Sequence, residues 1–558
     1  MSLNIKNDTV VREIEKNIDE YPLSLPFFEE PSSYCLWNLM VAHEHMIESP
    51  SLITQFGLRN ISVLLDRSKF ALMYSFGWVD KSSQDYTVFS PPALLNRGRL
   101  RQALEILLLA FEYEGVVVAY TYYSRGVADA VPLDKRTIRF SFQEREFCYD
   151  FLDKWLFLGQ FKDTQPGSQL TISDTSKYSN IFKRIYNRSF YRSREWLDVV
   201  WQDGELIQIL PFARIAMESS FHFPDDWSFR GISIDTFRKL WETVTALCQI
   251  HSICHSFSLH KDDLENGIAS IVLVNTKEWW LDLLMRIQAD IDGGDIEAAV
   301  DLLTYDPSLS KPDPSLQPFI PLGENWIAVA PRFYLSCNHE RNLMAFLAKN
   351  FSDEYNSTTS SLEETMLSDL VKVFCDFGFD VASRKRFRPG LRLPDLDIAI
   401  FERSTSFLLI IEAKWVIAAA DVGEKFERAK REKEGIEQVR KLLHFVRNNL
   451  DSFWNVCFQK VPKPQRIEIA GCVAMRGFTG TSFNEDSLIP VVEESILKKQ
   501  IRELCHIDEL YAYMRDRSFL PVLGQDFSVS EATCDIGPFK VYAPAMKMGD
   551  ASKFVRIM

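Results

Sequence analysis

Pro394-Asp-Leu-Asp-Ile-Ala-Ile-Phe-Glu-Arg-Ser-Thr-Ser-Phe-Leu-Leu-Ile-Ile-Glu-Ala-Lys-Trp415 holds two apolar runs on either side of a four-residue polar break. Asp397 to Glu402 and Phe407 to Lys414 read as strands, and Arg403-Ser-Thr-Ser406 reads as the loop of a hairpin. If Glu402 pairs with Phe407, Asp397 falls opposite Glu412, at a Cβ separation of about 5 Å. Lys414 follows Glu412 by two residues and projects from the same face of its strand. Three charged groups then meet at the end of an otherwise apolar hairpin. Burying them is costly unless they are paired or bind an ion. Two carboxylates at that spacing suit a hard divalent cation, Mg²⁺ or Mn²⁺. Such a cation can activate water and neutralise charge on a phosphate, and a lysine beside it can orient or deprotonate that water or stabilise the transition state.

Outward from the hairpin, Leu362 to Phe377 reads as a helix and Phe379 to Phe387 as a strand. Glu424 to Asn448 is a long charged helix, Arg466 to Met475 a strand, and Ile489 to Val492 a further one. The order α-β-β-β-α-β implies a mixed sheet flanked by helices, so the fold class is α/β, of the α+β mixed kind. Five prolines between Asp306 and Pro321 mark a break, expected as a linker over 306–321. The polar run Asn356-Ser-Thr-Thr-Ser-Ser361 reads as a linker or a helix start. Upstream, Asp235 to Ser256 and Thr276 to Ile291 read as amphipathic helices, Asp292 to Leu303 as a turn and helix, and Gly115 to Tyr123 as a buried strand. Four regions are expected: an acidic 1–305, mainly helical and of no nameable fold, the linker 306–321, a connecting segment 322–360, and the site-bearing 361–558.

Asp397, then Glu412-Ala-Lys414 after a hairpin, in αβββαβ order, resembles the PD-(D/E)XK nuclease superfamily, the restriction-endonuclease-like fold. The literal Pro394-Asp395 is present too. The resemblance covers roughly Ser361 to Met475. It implies that Asp397 and Glu412 are metal ligands, that Asp395 is the alternative first ligand, and that Lys414 is the catalytic lysine. The family often places a glutamate on the first helix, a role open to Glu363 or Glu364. It often places a glutamine on the helix after the lysine strand, which Gln438 matches. Against this, Ser360-x-x-Glu363 and Ser361-x-x-Glu364 are both capping-box patterns that would merely close a helix N-terminus, and a glutamine on a polar helix is commonly solvated.

Arg384-Lys385-Arg386-Phe-Arg388 and Arg392 put five basic residues just before the acidic pair. They are expected to contact a nucleic-acid backbone through its phosphates. The bland reading is an edge strand kept from aggregating by its charge. The 558-residue chain carries a net charge of −14. From Phe351 onward there are 29 Lys and Arg against 31 Asp and Glu, which leaves 34 against 46 in the first 350 residues, a balance of −12. The acidic part is a poor clamp for a polyanion. It is expected to act as a sensor, a regulator or a platform for a homo-oligomer or a protein partner.

Apolar residues at 46% and charged residues at 25% exclude global disorder. No run approaches the roughly 20 apolar residues of a membrane span. The ten scattered cysteines form no CxxC pair and read as reduced thiols, giving a cytoplasmic expectation. There is no GxGxxG, no G-x-x-x-x-G-K-[ST] and no GxSxG, so nucleotide-driven motors and α/β-hydrolases have no support. Cys248, His251, Cys254 and His255 fall on one helical run and are expected as core. His43-Glu-His45 lacks metalloprotease spacing, and Asn338-His-Glu reads as a helix start. The expectation is therefore a Mg²⁺- or Mn²⁺-dependent nuclease, foremost a DNA endonuclease, with DNA ahead of RNA as substrate. By the resemblance it would suit a restriction or anti-phage effector. The rival is a non-enzymatic nucleic-acid-binding or protein-interaction module built on the same fold.

Overall fold

The computed structural model describes residues 2–48, 61–82, 89–90, 95–162, 172–217, 221–261, 267–309, 311–387 and 395–548. The fold is mixed α/β. Its largest sheet has five strands in spatial order β1 (Asp380–Lys385), β2 (Leu396–Glu402), β3 (Phe407–Trp415), β4 (Glu468–Arg476) and β5 (Val491–Glu493). The first three are antiparallel and the last two run parallel to β3. Glu402 pairs with Phe407 and Ile398 with Ile411, the register that the loop length implies. Ser406, at φ 56°, takes the left-handed position that closes the loop.

Alternation along the strands sorts side chains onto two covered faces, which is why β2 and β3 read as nearly continuous apolar runs. Ile398, Ile400, Leu409 and Ile411 pack on one face with Leu367, Leu370 and Phe374 of α1 (Ser352–Asp376). Ala399, Phe401, Leu408 and Ile410 pack on the other with Val439, Leu442 and Val446 of α2 (Val422–Asn448). α2 comes close because glycines let it. A Cβ on Gly471 of β4 would lie 2.5 Å from Val439 Cγ1 and 3.3 Å from the Ile410 carbonyl, and one on Gly435 of α2 would lie 2.9 Å from Val473 Cγ1. Gly471→Ala is accordingly expected to cost about 1–3 kcal/mol in urea unfolding through overpacking. A variant as stable as the parent would contradict this account of the helix–sheet contact.

Upstream, helix Ile234–Lys261 runs through a second core, and helices Lys277–Ile287 and Gly293–Leu302 follow it, N-capped by Thr276 and Asp292. The expected helices over 235–256, 276–291 and 292–303 are present. Cys248, Cys254 and His255 are fully buried and His251 nearly so, with His251 Nε2 2.8 Å from the Ser270 carbonyl; burial pushes His251 down to about 4. Asn338 caps helix His339–Asn350, its side chain accepting from the Arg341 N–H. All ten cysteines are free thiols.

Three local expectations give way. Gly115 to Tyr123 is not a strand but the last turns of helix Arg97–Ser124. Val116, Ala119 and Tyr120 recur at helical spacing and are buried against Val11, Ile14, Ile18, Ile536 and Val541, and that packing outweighs the strand preference of valine. Asn356 to Ser361 is neither a linker nor a helix start. It lies inside α1, where buried Thr358 accepts a hydrogen bond from Trp227 Nε1 at 3.0 Å. The proline run is packed: Thr304 bridges Phe319, Leu316 and Phe319 are buried, and Ile320–Leu322 pairs with Trp326–Val329.

The two ends of the chain share structure. Strand Phe539–Met548 of the C-terminal hairpin runs parallel to Thr137–Phe142, with Lys540 opposite Thr137. Phe147, Phe151 and Leu152 of helix Glu144–Lys162 join the core beneath α1.

Candidate active site

β2 and β3 stay paired up to Ile398 and Ile411, and the cluster sits just beyond that last pair. Asp397 Oδ2 accepts a hydrogen bond from the Ala413 N–H at 2.9 Å, so a carboxylate takes the place of the next ladder carbonyl. Glu412, only 2% exposed, lies alongside. Lys414 Nζ donates to Glu412 Oε1 at 2.6 Å, as their shared face requires. Glu412 Oε2 is buried without a hydrogen-bond partner among the described residues. From α1, Glu363 Oε2 accepts from the Trp415 N–H at 3.2 Å, which registers the helix against the end of β3. Three carboxylates and one ammonium thus surround the frayed end of the hairpin.

The electrostatics follow from burial and crowding. Burial raises Asp397 to about 6, although the Ala413 N–H and Lys414 pull the other way. Burial, and then the neighbouring Asp397 charge, raise Glu412 to about 8. Burial alone would lower Lys414, but the Glu412, Glu363 and Asp397 carboxylates outweigh it and hold its ammonium protonated.

Glu363, not Glu364, faces this cluster. α1 begins at Ser352, so no capping box forms at Ser360 or Ser361. Glu364 lies on the exposed side, ion-paired with Arg384. Asp395 does not join the cluster either: it is exposed and accepts from Arg386 Nε at 2.9 Å. Gln438 lies one turn beyond Gly435, whose Cβ would stand 3.7 Å from Lys414 Cγ, and its amide oxygen is buried without a partner.

The basic run is partly tied down. Arg384, at φ 53°, also reaches Ser368 Oγ at 2.9 Å, and Lys385 closes β1 opposite Leu396. Arg388 and Arg392 lie outside the described residues.

Sequence reasoning missed the cleft that reaches Lys414. It has a volume of about 380 Å³ and lies between the first half of α1 and Arg431 of α2, with Glu363, Lys414 and Trp415 at its inner end. Tyr355, Thr359 and Glu363 recur every fourth residue on one face of α1, and that spacing is visible once the helix is traced back to Ser352.

A second polar cluster lies at the turn end of the hairpin. Among the described residues, Glu402, His506 and Asp508 are the trio whose donor atoms all fall within 4.8 Å of one another. Its arrangement is structural: Glu402 Oε2 accepts from the Ile507 N–H at 2.8 Å and so caps helix Ile507–Arg515, while Oε1 meets His506 Nδ1 at 2.7 Å.

Asp397 and Glu412 fit an oxygen-ligated divalent cation. Both are carboxylates, and among the described residues no donor reaches the buried Glu412 Oε2. A search of family models, curated proteins and solved structures found no match to this chain.

Proposed function

We propose that the chain is a divalent-metal-dependent nuclease of restriction-endonuclease-like fold that hydrolyses phosphodiester bonds, with DNA as the first substrate to test. The observation that carries this reading is the Asp397–Glu412–Lys414 set, with Glu412 buried and its two neighbours half-buried, at the frayed end of β2 and β3, in an αβββααβ order. Packing alone gives no reason to bury these groups, and such charges persist where function requires them.

Asp397 and Glu412 would hold Mg²⁺ or Mn²⁺, which when bound supplies Lewis acidity and a water of lowered pKa. Lys414 steadies Glu412 through its 2.6 Å hydrogen bond and presents a fixed positive charge to the cleft, where negative charge builds on a phosphate. Glu363 holds the end of β3 in place through the Trp415 amide. Gln438, with a free buried amide oxygen, is placed to steady a donor such as a water.

Metal binding tests the site before any substrate is known. Mn²⁺ is expected to raise the melting temperature by about 2 °C or more at saturating concentration. Protons compete with the cation for Asp397 and Glu412, so the shift should grow as pH rises from about 6 to about 8. Asp397→Asn should abolish it. An equal shift in that variant would assign the metal elsewhere and favour the non-enzymatic module.

A further inference from the structure

Two clefts meet at Trp415. One is the 380 Å³ cleft with Lys414 and Arg431. The other, of about 260 Å³, includes Arg341 and Arg476 and also Asp369 and Glu494. Trp415 lines both and is backed by Phe221, at a ring-centroid distance of 5.7 Å. The two clefts run along one helix: Tyr355 to Glu363 of α1 border the first, and Leu362 to Asp369 the second.

We propose that the two clefts form a track for one single strand of nucleic acid, which crosses Trp415 with a base stacked on the indole and a phosphate at Lys414. This rests on the nuclease reading and narrows its substrate. Each space is at or below the lower end of the range that encloses one small molecule, about 300–1,000 Å³. A duplex, whose major groove alone is about 12 Å wide, stands off Lys414 and the nearly buried Glu412. Single-strand sites combine a cationic groove with an aromatic platform, because every base has a stacking face whatever its sequence. Trp415 supplies the aromatic, and Lys414 and Arg431 supply the cations beside it. Arg431 is half exposed and held at the cleft mouth by Glu434, three residues on, at 3.1 Å, and by Asn356 at 3.4 Å. An exposed pair of that kind is weak and exchanges readily for a phosphate. Arg476 stands at the far cleft, paired with Glu494 at 3.1 Å but 45% exposed.

Binding and cutting are measured separately. Full-length Asp397→Asn protein, which keeps Lys414, is titrated into fluorescently labelled 12-nucleotide single-stranded DNA, the matching RNA, and the blunt DNA duplex, and anisotropy is read. The single strand should bind at least tenfold more tightly than the duplex. Arg431→Ala and Trp415→Leu, each added to Asp397→Asn, should each weaken single-strand binding roughly tenfold and leave duplex binding unchanged. The DNA and RNA arms identify the sugar. Duplex binding as tight as single-strand binding, or single-strand affinity unmoved by both substitutions, overturns the track. Melting curves of both variants establish that they are folded. Wild-type protein on the same oligonucleotides reads the nuclease assignment independently: strand binding without metal-dependent cutting sinks that assignment and leaves the track standing.

Discussion

Lys425→Met is expected to destabilise the protein by about 3–5 kcal/mol, the usual cost of stripping a buried charge of its partner. Lys425 sits in the first turn of α2, 5% exposed, ion-paired with the fully buried Glu146 and with Asp150, and it lies 3.3 Å from the Tyr122 hydroxyl. Its partners are committed elsewhere too. Glu146 Oε2 accepts from the Ser482 N–H at 3.0 Å, and Asp150 Oδ2 accepts from the Tyr122 hydroxyl at 2.7 Å. Methionine fills the volume and leaves Glu146 and Asp150 facing each other without a cation. The same turn is held on its other side by Arg341, which donates to Glu424 at 2.7 Å. α2 carries Arg431 and Gln438, so the pairs that join it to the upstream region also position one wall of the cleft. Urea unfolding followed by circular dichroism measures the loss; less than about 1 kcal/mol would mean that the network adds little.

Glu412→Gln should separate stability from activity. Turnover is expected to fall by on the order of 1,000-fold, because the variant loses a cation ligand and the partner that steadies Lys414. Stability should not fall. Asp397 and Glu412 bind protons more tightly when folded, at about 6 and about 8, than the ordinary carboxylate values of 3.8 and 4.5. Their contribution is therefore full below about pH 4 and is lost as pH rises towards 8, since the folded state holds the extra protons throughout that window. Glutamine removes one of these two raised carboxyls. Melting temperature against pH should fall more steeply for the wild type than for Glu412→Gln between pH 5 and 8. Parallel curves would show that Glu412 meets no such penalty.

The hairpin was legible because two local features agree: a four-residue loop, and strands whose ends carry the only charges. Pairing Glu402 with Phe407 brings Asp397, Glu412 and Lys414 together with no knowledge of the rest of the chain. The choice between Glu363 and Glu364 was not legible, since it depends on where α1 begins. Serines and threonines from 357 to 361 favour caps and turns by themselves, and the helix continues through them because Thr358 is buried beneath Trp227. The pairing of the basic run was not legible for a similar reason. Charge density does not reveal partners, and Glu364 and Asp395 engage Arg384 and Arg386. Residues 115–123 carry both signals. Valine content argues for a strand, the spacing of Val116, Ala119 and Tyr120 argues for a helix, and contacts with segments far away in sequence decide it. Arg431 and Trp415 meet at one cleft only through the crossover from β3 into α2, a relation that periodicity does not encode.

The most direct test is a cleavage assay of the full-length protein with Mg²⁺ or Mn²⁺ on supercoiled plasmid, linear duplex, single-stranded DNA and RNA, beside Lys414→Ala. The account predicts phosphodiester cleavage that requires the divalent cation, is abolished by EDTA, and falls by at least about 100-fold in the variant. Cleavage of equal rate in folded Lys414→Ala protein, or cleavage indifferent to the metal, would contradict it.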